Sequence, residues 1–172
     1  MRLGDLPGKH LLDVVDGGSA NGITLAQMGA TVTALGESSL ARGSLSEVAG
    51  IRRQGCQERL TIVDGCLRDD LPEGPFDAAL LTKVLHRFTL QEVRQVLQGL
   101  SEVIKPGGWL LTVAYLRPDK RRDSIHPVGG FLPLSSGFVA KVLMEAGFVP
   151  KKQAPGRSDF GPTGMVLAQL PA

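Results

Sequence analysis

LLDVVDGGSANGITLAQMGATVTALGE, residues 11–37, switches twice between two kinds of hydrophobic pattern. Leu11 to Val15 form a short apolar run, as a strand buried on both faces of a parallel sheet requires. Asp16-Gly17-Gly18-Ser19 stops that strand in a tight turn, because glycine adopts backbone angles that a Cβ forbids and lets a ligand come close to the main chain. Ile23, Leu25, Ala26 and Met28 then have the spacing of a brief apolar helix ending at Gly29, and Thr31 to Leu35 resume as a strand. Strand, glycine turn, helix and strand in this order make half of a nucleotide-binding fold. In such a unit the helix N-terminus points free N–H groups at whatever lies beyond the strand end.

The rest of the chain continues the alternation. Ser38 to Gly55 carries Leu40, Leu45, Val48 and Ile51 at helical spacing, capped by Ser38 or Ser39. Leu60 to Val63 is a third strand. LRDDLPEGP, residues 67–75, reads as a surface loop, so Asp69 and Asp70 are solvated carboxylates and not an acid/base pair. Phe76 to Leu81 is a fourth strand, and Thr82, Lys83, Leu85, His86 and Arg87 leave its carboxyl end, where open parallel sheets bind ligands. Thr89 and Glu92 have the spacing of a capping box. The helix they open places Val93, Val96, Leu97, Leu100, Val103 and Ile104 on one face, and Lys105-Pro106-Gly107-Gly108 ends it before a fifth strand, Trp109 to Tyr115. Residues 117–137 are a connection rich in proline, glycine and charge. Ser136 caps a last helix closed by Gly147. Phe148 to Gln153 and Met165 to Leu170 form a closing antiparallel pair, joined by a loop from Gly156 to Gly164. The expected architecture is a single α/β domain over residues 1–172, Rossmann-like, with about seven mostly parallel strands and helices on both faces.

Two stretches carry a family resemblance. Leu12-Asp13-Val14, Gly17, Leu25-Ala26, Gly29-Ala30 and Val32-Thr33 resemble the first motif and second strand of class I S-adenosylmethionine-dependent methyltransferases. FDAALLTKVLHRF (76–88) followed by LSEVIKPGGWLLTV (100–113) is similar to the same family's fourth and fifth strands and the helix between them. The short form looks most like the tellurite- and thiopurine-type members. The resemblance implies S-adenosylmethionine as cofactor, held by Asp13, Gly17, Gly18, Ser19, Glu37, Cys66, Leu67 and Thr82. It also implies methyl transfer to a small-molecule acceptor, with His86 as the candidate catalytic base.

The cofactor motif is degenerate. Where the family has D-x-G-x-G-x-G, this chain has Asp13, Val15, Gly17 and Ser19. The acidic residue that ends the family's second strand and binds both ribose hydroxyls is replaced by Gly36, with Glu37 one residue later. The aspartate that accepts the adenine amino group is replaced by Cys66, after Gly65. These departures predict weak donor binding, and they set a second hypothesis beside the first: a catalytically silent methyltransferase-like subunit that stabilises a partner protein. A nicotinamide-dependent dehydrogenase is discounted, since VDGGSANG supplies no G-x-G-x-x-G turn. His86 has its own alternative, in which it and Arg87 cap the loop into the next helix and face solvent.

Composition narrows the classes further. Nineteen basic and 17 acidic residues leave a formal charge of +2, which makes no field that demands nucleic acid. No apolar run is long enough for a membrane span and no signal-peptide core is evident, so a cytoplasmic location is expected. Cys56 and Cys66 lie outside any metal or redox spacing and read as reduced thiols, and no metal site is expected. The lead before the first strand is short. An acceptor site is therefore expected to come from later loops, to come from a partner chain in a homo- or hetero-oligomer, or not to exist.

Overall fold

The computed structural model describes residues 6–15, 20–36, 55–115, 134, 136–158 and 161–172. Strands β1 (His10–Val15), β2 (Thr31–Gly36), β3 (Leu60–Asp64), β4 (Phe76–Thr82), β5 (Ile104–Tyr115), β6 (Val149–Ser158) and β7 (Gly161–Gln169) form one seven-stranded sheet in the order β3-β2-β1-β4-β5-β7-β6. The first five strands in that order run parallel, and β7 pairs antiparallel with both β5 and β6. The expected Rossmann-like architecture is the observed one. The helix expected from Ser38 to Gly55 falls on residues 37–54, outside the described set.

Strand alternation divides the core in two. Leu12, Val14, Leu35, Ala79 and Leu81 face helices α2 (Leu90–Val103) and α3 (Ser136–Glu145), meeting Val93, Val96, Leu97, Leu100, Val139, Val142 and Leu143. Leu11, Val32, Ala34, Leu60 and Ala78 face the other way, toward Ala26 of α1 (Ala20–Gln27). Helix α1 is less apolar in place than in sequence: Ala26 is buried and Ile23 and Leu25 are half-buried, but Met28 is 37% exposed.

The capping box of α2 is complete, with the Glu92 N–H donating to Thr89 Oγ1 at 3.3 Å and the Thr89 N–H to Glu92 Oε2 at 2.8 Å. A cap of this kind contributes about 1 kcal/mol, whereas each of the buried Val93, Val96, Leu97 and Leu100 contributes roughly 1.5–3 kcal/mol. Packing therefore holds the helix, and the cap sets where it starts. Gly29 and Gly147 end α1 and α3 in the left-handed region, at φ +97° and +87°. There the Ala30 N–H reaches the Leu25 carbonyl at 3.1 Å and the Phe148 N–H reaches that of Leu143 at 2.9 Å.

Two boundaries differ from expectation. The turn at residues 105–108 lies inside β5, which pairs with Phe76 through Ile104 before it and with Ala78 through Trp109 after it. A local insertion of this kind keeps the ladder on both sides while the extra residues loop out, so Ile104 belongs to the strand and not to the helix. The closing hairpin is also longer than its glycines and prolines suggest, with β6 and β7 paired out to Ser158 and Gly161. β6 forms one edge of the sheet and exposes Lys151, Lys152 and Gln153 beside a register shift between Pro150 and Lys152.

Asp77 fastens the amino ends of the central strands. Its Oδ2 accepts the His10 N–H at 2.8 Å, and its Oδ1 lies 3.5 Å from Lys9 Nζ and 3.2 Å from Lys105 Nζ. Burial pushes this carboxyl up, but the His10 N–H and the two lysines outweigh it and hold the group below the usual carboxylate range. A lowered folded-state value means the stabilisation is whole above the ordinary carboxylate pKa and vanishes as pH falls through the lowered one. Asp77→Asn is expected to cost about 1–2 kcal/mol at neutral pH in urea unfolding, with mutant and parent converging as pH falls below the ordinary carboxylate range. Gly29→Ala is expected to cost about 1–2 kcal/mol in the same measurement, since its Cβ takes up a disfavoured φ and meets Pro7 Cγ at 3.2 Å.

Candidate functional site

The winding of the sheet reverses between β1 and β4, with β2 and β3 on one side and β5 on the other. In open α/β sheets such a reversal leaves a crevice beyond the strands' carboxyl ends. The register there is level: Asp64, Gly36, Val15, Thr82 and Val113 are successive Cα partners across β3, β2, β1, β4 and β5. Alternation from Leu60 and Ile62, from Val32 and Ala34, and from Leu11 puts Asp64, Gly36 and Asp13 on the α1 side of the sheet. Asn21, near the start of α1, donates from Nδ2 to Thr82 Oγ1 at 3.1 Å and so closes the crevice between helix and β4. Asp13 stands two residues below this rim, paired in register with Ala34 and Leu80, and is fully buried.

The expected cofactor residues divide into three groups. Asp13 and Thr82 come together at the crevice. Gly17, Gly18, Ser19 and Glu37 lie outside the described residues. Cys66 and Leu67 follow the end of β3 in a turn that Asp70 builds: its Oδ2 accepts the Cys66 N–H at 2.9 Å, while the Asp69 and Asp70 N–H groups donate to the Cys66 carbonyl at 3.1 and 2.7 Å. The Cys66 side chain is half-buried, but that of Leu67 is 1% exposed and packs in the α2/α3 core. Both cysteines are free thiols, and no metal-binding cluster occurs among the described residues.

The turn after β3 is tied to the start of α2. Arg68 grips Asp69 at 2.7–3.0 Å through Nε and Nη2, and donates from Nη1 to Glu92 Oε1 at 2.8 Å. Arg68 holds the Asp69 carboxyl below its usual range; the Thr89 groups, then Arg68, do the same for Glu92. Asp69 and Asp70 are exposed as expected, yet each has a structural job. Beyond β4, Lys83 adopts φ +58°, a strained conformation for a side chain that size, with its N–H on the Val113 carbonyl at 2.7 Å. His86 sits in the short 3-10 turn Leu85–Arg87 and is 2% exposed, while Arg87 is exposed. The solvent-facing alternative for His86 is thereby corrected. Val84, Leu85 and Phe88 bury around the same turn, and an ionisable residue inside that apolar run was the signal.

Asp64 is a rim carboxylate that the sequence reading did not single out. It ends β3, one residue beyond the expected boundary, and it is exposed at the rim. The period of Leu60 and Ile62 leads directly to it.

Comparison with known proteins agrees with this geometry. The O-methyltransferase domain family matches residues 10–132. An uncharacterized methyltransferase of Synechocystis sp. is 36% identical over 114 residues, 65% of this chain and 50% of the relative, so the chain spans about half the length of the curated relative it matches. Among solved structures, the [4+2]-cyclase SpnF superposes with a TM-score of 0.81 at 16% identity, over 98% of this chain and 76% of its own. The magnesium protoporphyrin IX methyltransferase of Synechocystis, with S-adenosylhomocysteine bound, superposes at 0.73 and 19% identity, over 96% of this chain and 76% of its own. A cyclase and a methyltransferase on one fold show that architecture alone does not choose the reaction. Among the described residues no helix is long and apolar enough to cross a membrane. With the family match spanning the crevice and everything that builds it, the chain belongs to the class I S-adenosylmethionine-dependent methyltransferases, in the O-methyltransferase domain family.

Proposed function

We propose that this chain transfers a methyl group from S-adenosylmethionine to a hydroxyl of a small-molecule acceptor. The observation that carries the proposal is the level rim at the β1/β4 reversal, polar at Asp64 and Thr82, with buried His86 four residues past its β4 member. The described residues fit the cofactor. Among the described residues a Cβ placed on Gly36 would meet nothing within 4 Å, which leaves room beside them at the rim. Thr82, held by Asn21, offers a hydroxyl beside that room, and Asp13 lies buried two residues below it.

Bound there, S-adenosylmethionine supplies an electrophilic sulfonium methyl, and the protein's share is mostly placement. Asp13, Thr82 and the backbone after β3 would hold it, joined by Gly17, Gly18, Ser19, Cys66 and Glu37 from the expected set. His86 accepts the proton of the acceptor hydroxyl at its imidazole, a group whose ordinary pKa lies near neutrality. At 2% exposure, in the turn where Val84, Leu85 and Phe88 are also buried, the ring is shielded from bulk water. The strained Lys83 fixes the path of the chain from the rim to the histidine.

Calorimetric titration with S-adenosylhomocysteine tests the cofactor half, and absence of binding would favour the silent-subunit hypothesis instead. For the base, His86→Gln is expected to lower turnover of a hydroxylated acceptor by about 10²–10⁴-fold while leaving S-adenosylhomocysteine affinity nearly unchanged. Full turnover in that variant removes His86 from the chemistry.

A further inference from the structure

We propose that Asp64 recognises the cofactor's ribose, supplying from the end of β3 the carboxylate that the end of β2 lacks. The inference rests on the S-adenosylmethionine reading above and names a residue for it. Asp64 and Gly36 are Cα partners in the parallel β2/β3 ladder, so their side-chain positions stand side by side, about 4.8 Å apart, on one face. That face is the α1 side, shared with Asp13 and with the Asn21–Thr82 contact at the carboxyl end of the sheet. Gly36 has no side chain to fill the space beside Asp64, and even a Cβ there would touch nothing within 4 Å among the described residues. The short Asp64 side chain therefore has a clear sideways path to the point above the end of β2.

The competing carboxylates are placed or employed differently. Asp70 holds the Cys66 N–H, Asp69 is gripped by Arg68, and Asp77 sits at the opposite end of the sheet. Glu37, one residue past Gly36, lies outside the described residues, and its own variant enters the test below. Asp64 is exposed at the rim, and among the described residues no side-chain hydrogen bond or ion pair holds its carboxylate. A carboxylate free to accept is what a vicinal diol needs, because both hydroxyls can donate to its two oxygens.

The test is calorimetric titration of the full chain with S-adenosylhomocysteine and with its 2′-deoxyribose analogue, on the unaltered protein, Asp64→Asn, Glu37→Gln and the double variant Asp64→Asn with Gly36→Asp. Asp64→Asn is expected to keep the parent's melting temperature and to weaken S-adenosylhomocysteine about 10- to 100-fold. It should weaken the deoxy analogue much less. The double variant, which moves the carboxylate one strand inward to a position with room for it, should recover most of the lost affinity. Undiminished S-adenosylhomocysteine binding by Asp64→Asn overturns the proposal, as does an equal loss for both ligands or a loss confined to Glu37→Gln. If the unaltered protein binds neither ligand, the cofactor reading itself falls and Asp64 with it.

Discussion

β1 is hydrogen-bonded in parallel on both edges, to β2 and to β4, and that double pairing governs what the remaining chain can do. A strand so placed has both faces covered and must be apolar on both, which is why Leu11, Leu12 and Val14 are all buried. It also forces the chain to wind outward in two directions from one centre, and the crevice at the carboxyl ends is the geometric remainder. Asp13 is the exception within β1, a fully buried carboxylate in a hydrophobic strand, and a group that costly to bury is retained for a reason other than packing.

The two ends of the sheet spend their charges differently. At the amino end Asp77 is saturated by one N–H and two lysines, an arrangement that stabilises and leaves nothing over for a ligand. At the carboxyl end the polar groups are either sealed in the fold, as Asp13 and His86 are, or presented at the rim, as Asp64 is. Stability and recognition are thus separated along the strand axis by the length of β1 and β4.

Most of the fold was legible because burial on two faces, glycine helix ends and a capping box leave strong local marks. Thr89 and Glu92 named the start of α2, and Gly29 and Gly147 named the ends of α1 and α3. The failures have a common cause: pairing across strands outweighs local turn chemistry. Pro106, Gly107 and Gly108 look like a break, yet the ladder with β4 resumes on the far side of them. Gly156 and Gly164 look like loop ends, yet both are paired within the hairpin. The crevice was legible in that Asp13 and Thr82 were read onto β1 and the end of β4, strands that the ladder sets side by side. Asp64 escaped because its recognition requires knowing that Gly36 is its neighbour, and register is not written in either strand alone.

The outer strand β6 has a bearing on how the protein behaves in concentrated solution. A free strand edge invites another chain to add to the sheet, the first step toward aggregates. Here that edge carries Pro150 and Pro155, which cannot donate to a new ladder, the exposed charges of Lys151 and Lys152, and a register shift that kinks the backbone between them. The sheet therefore terminates at β6 by construction, and the molecule resists lateral fibre growth there at whatever concentration its fold survives.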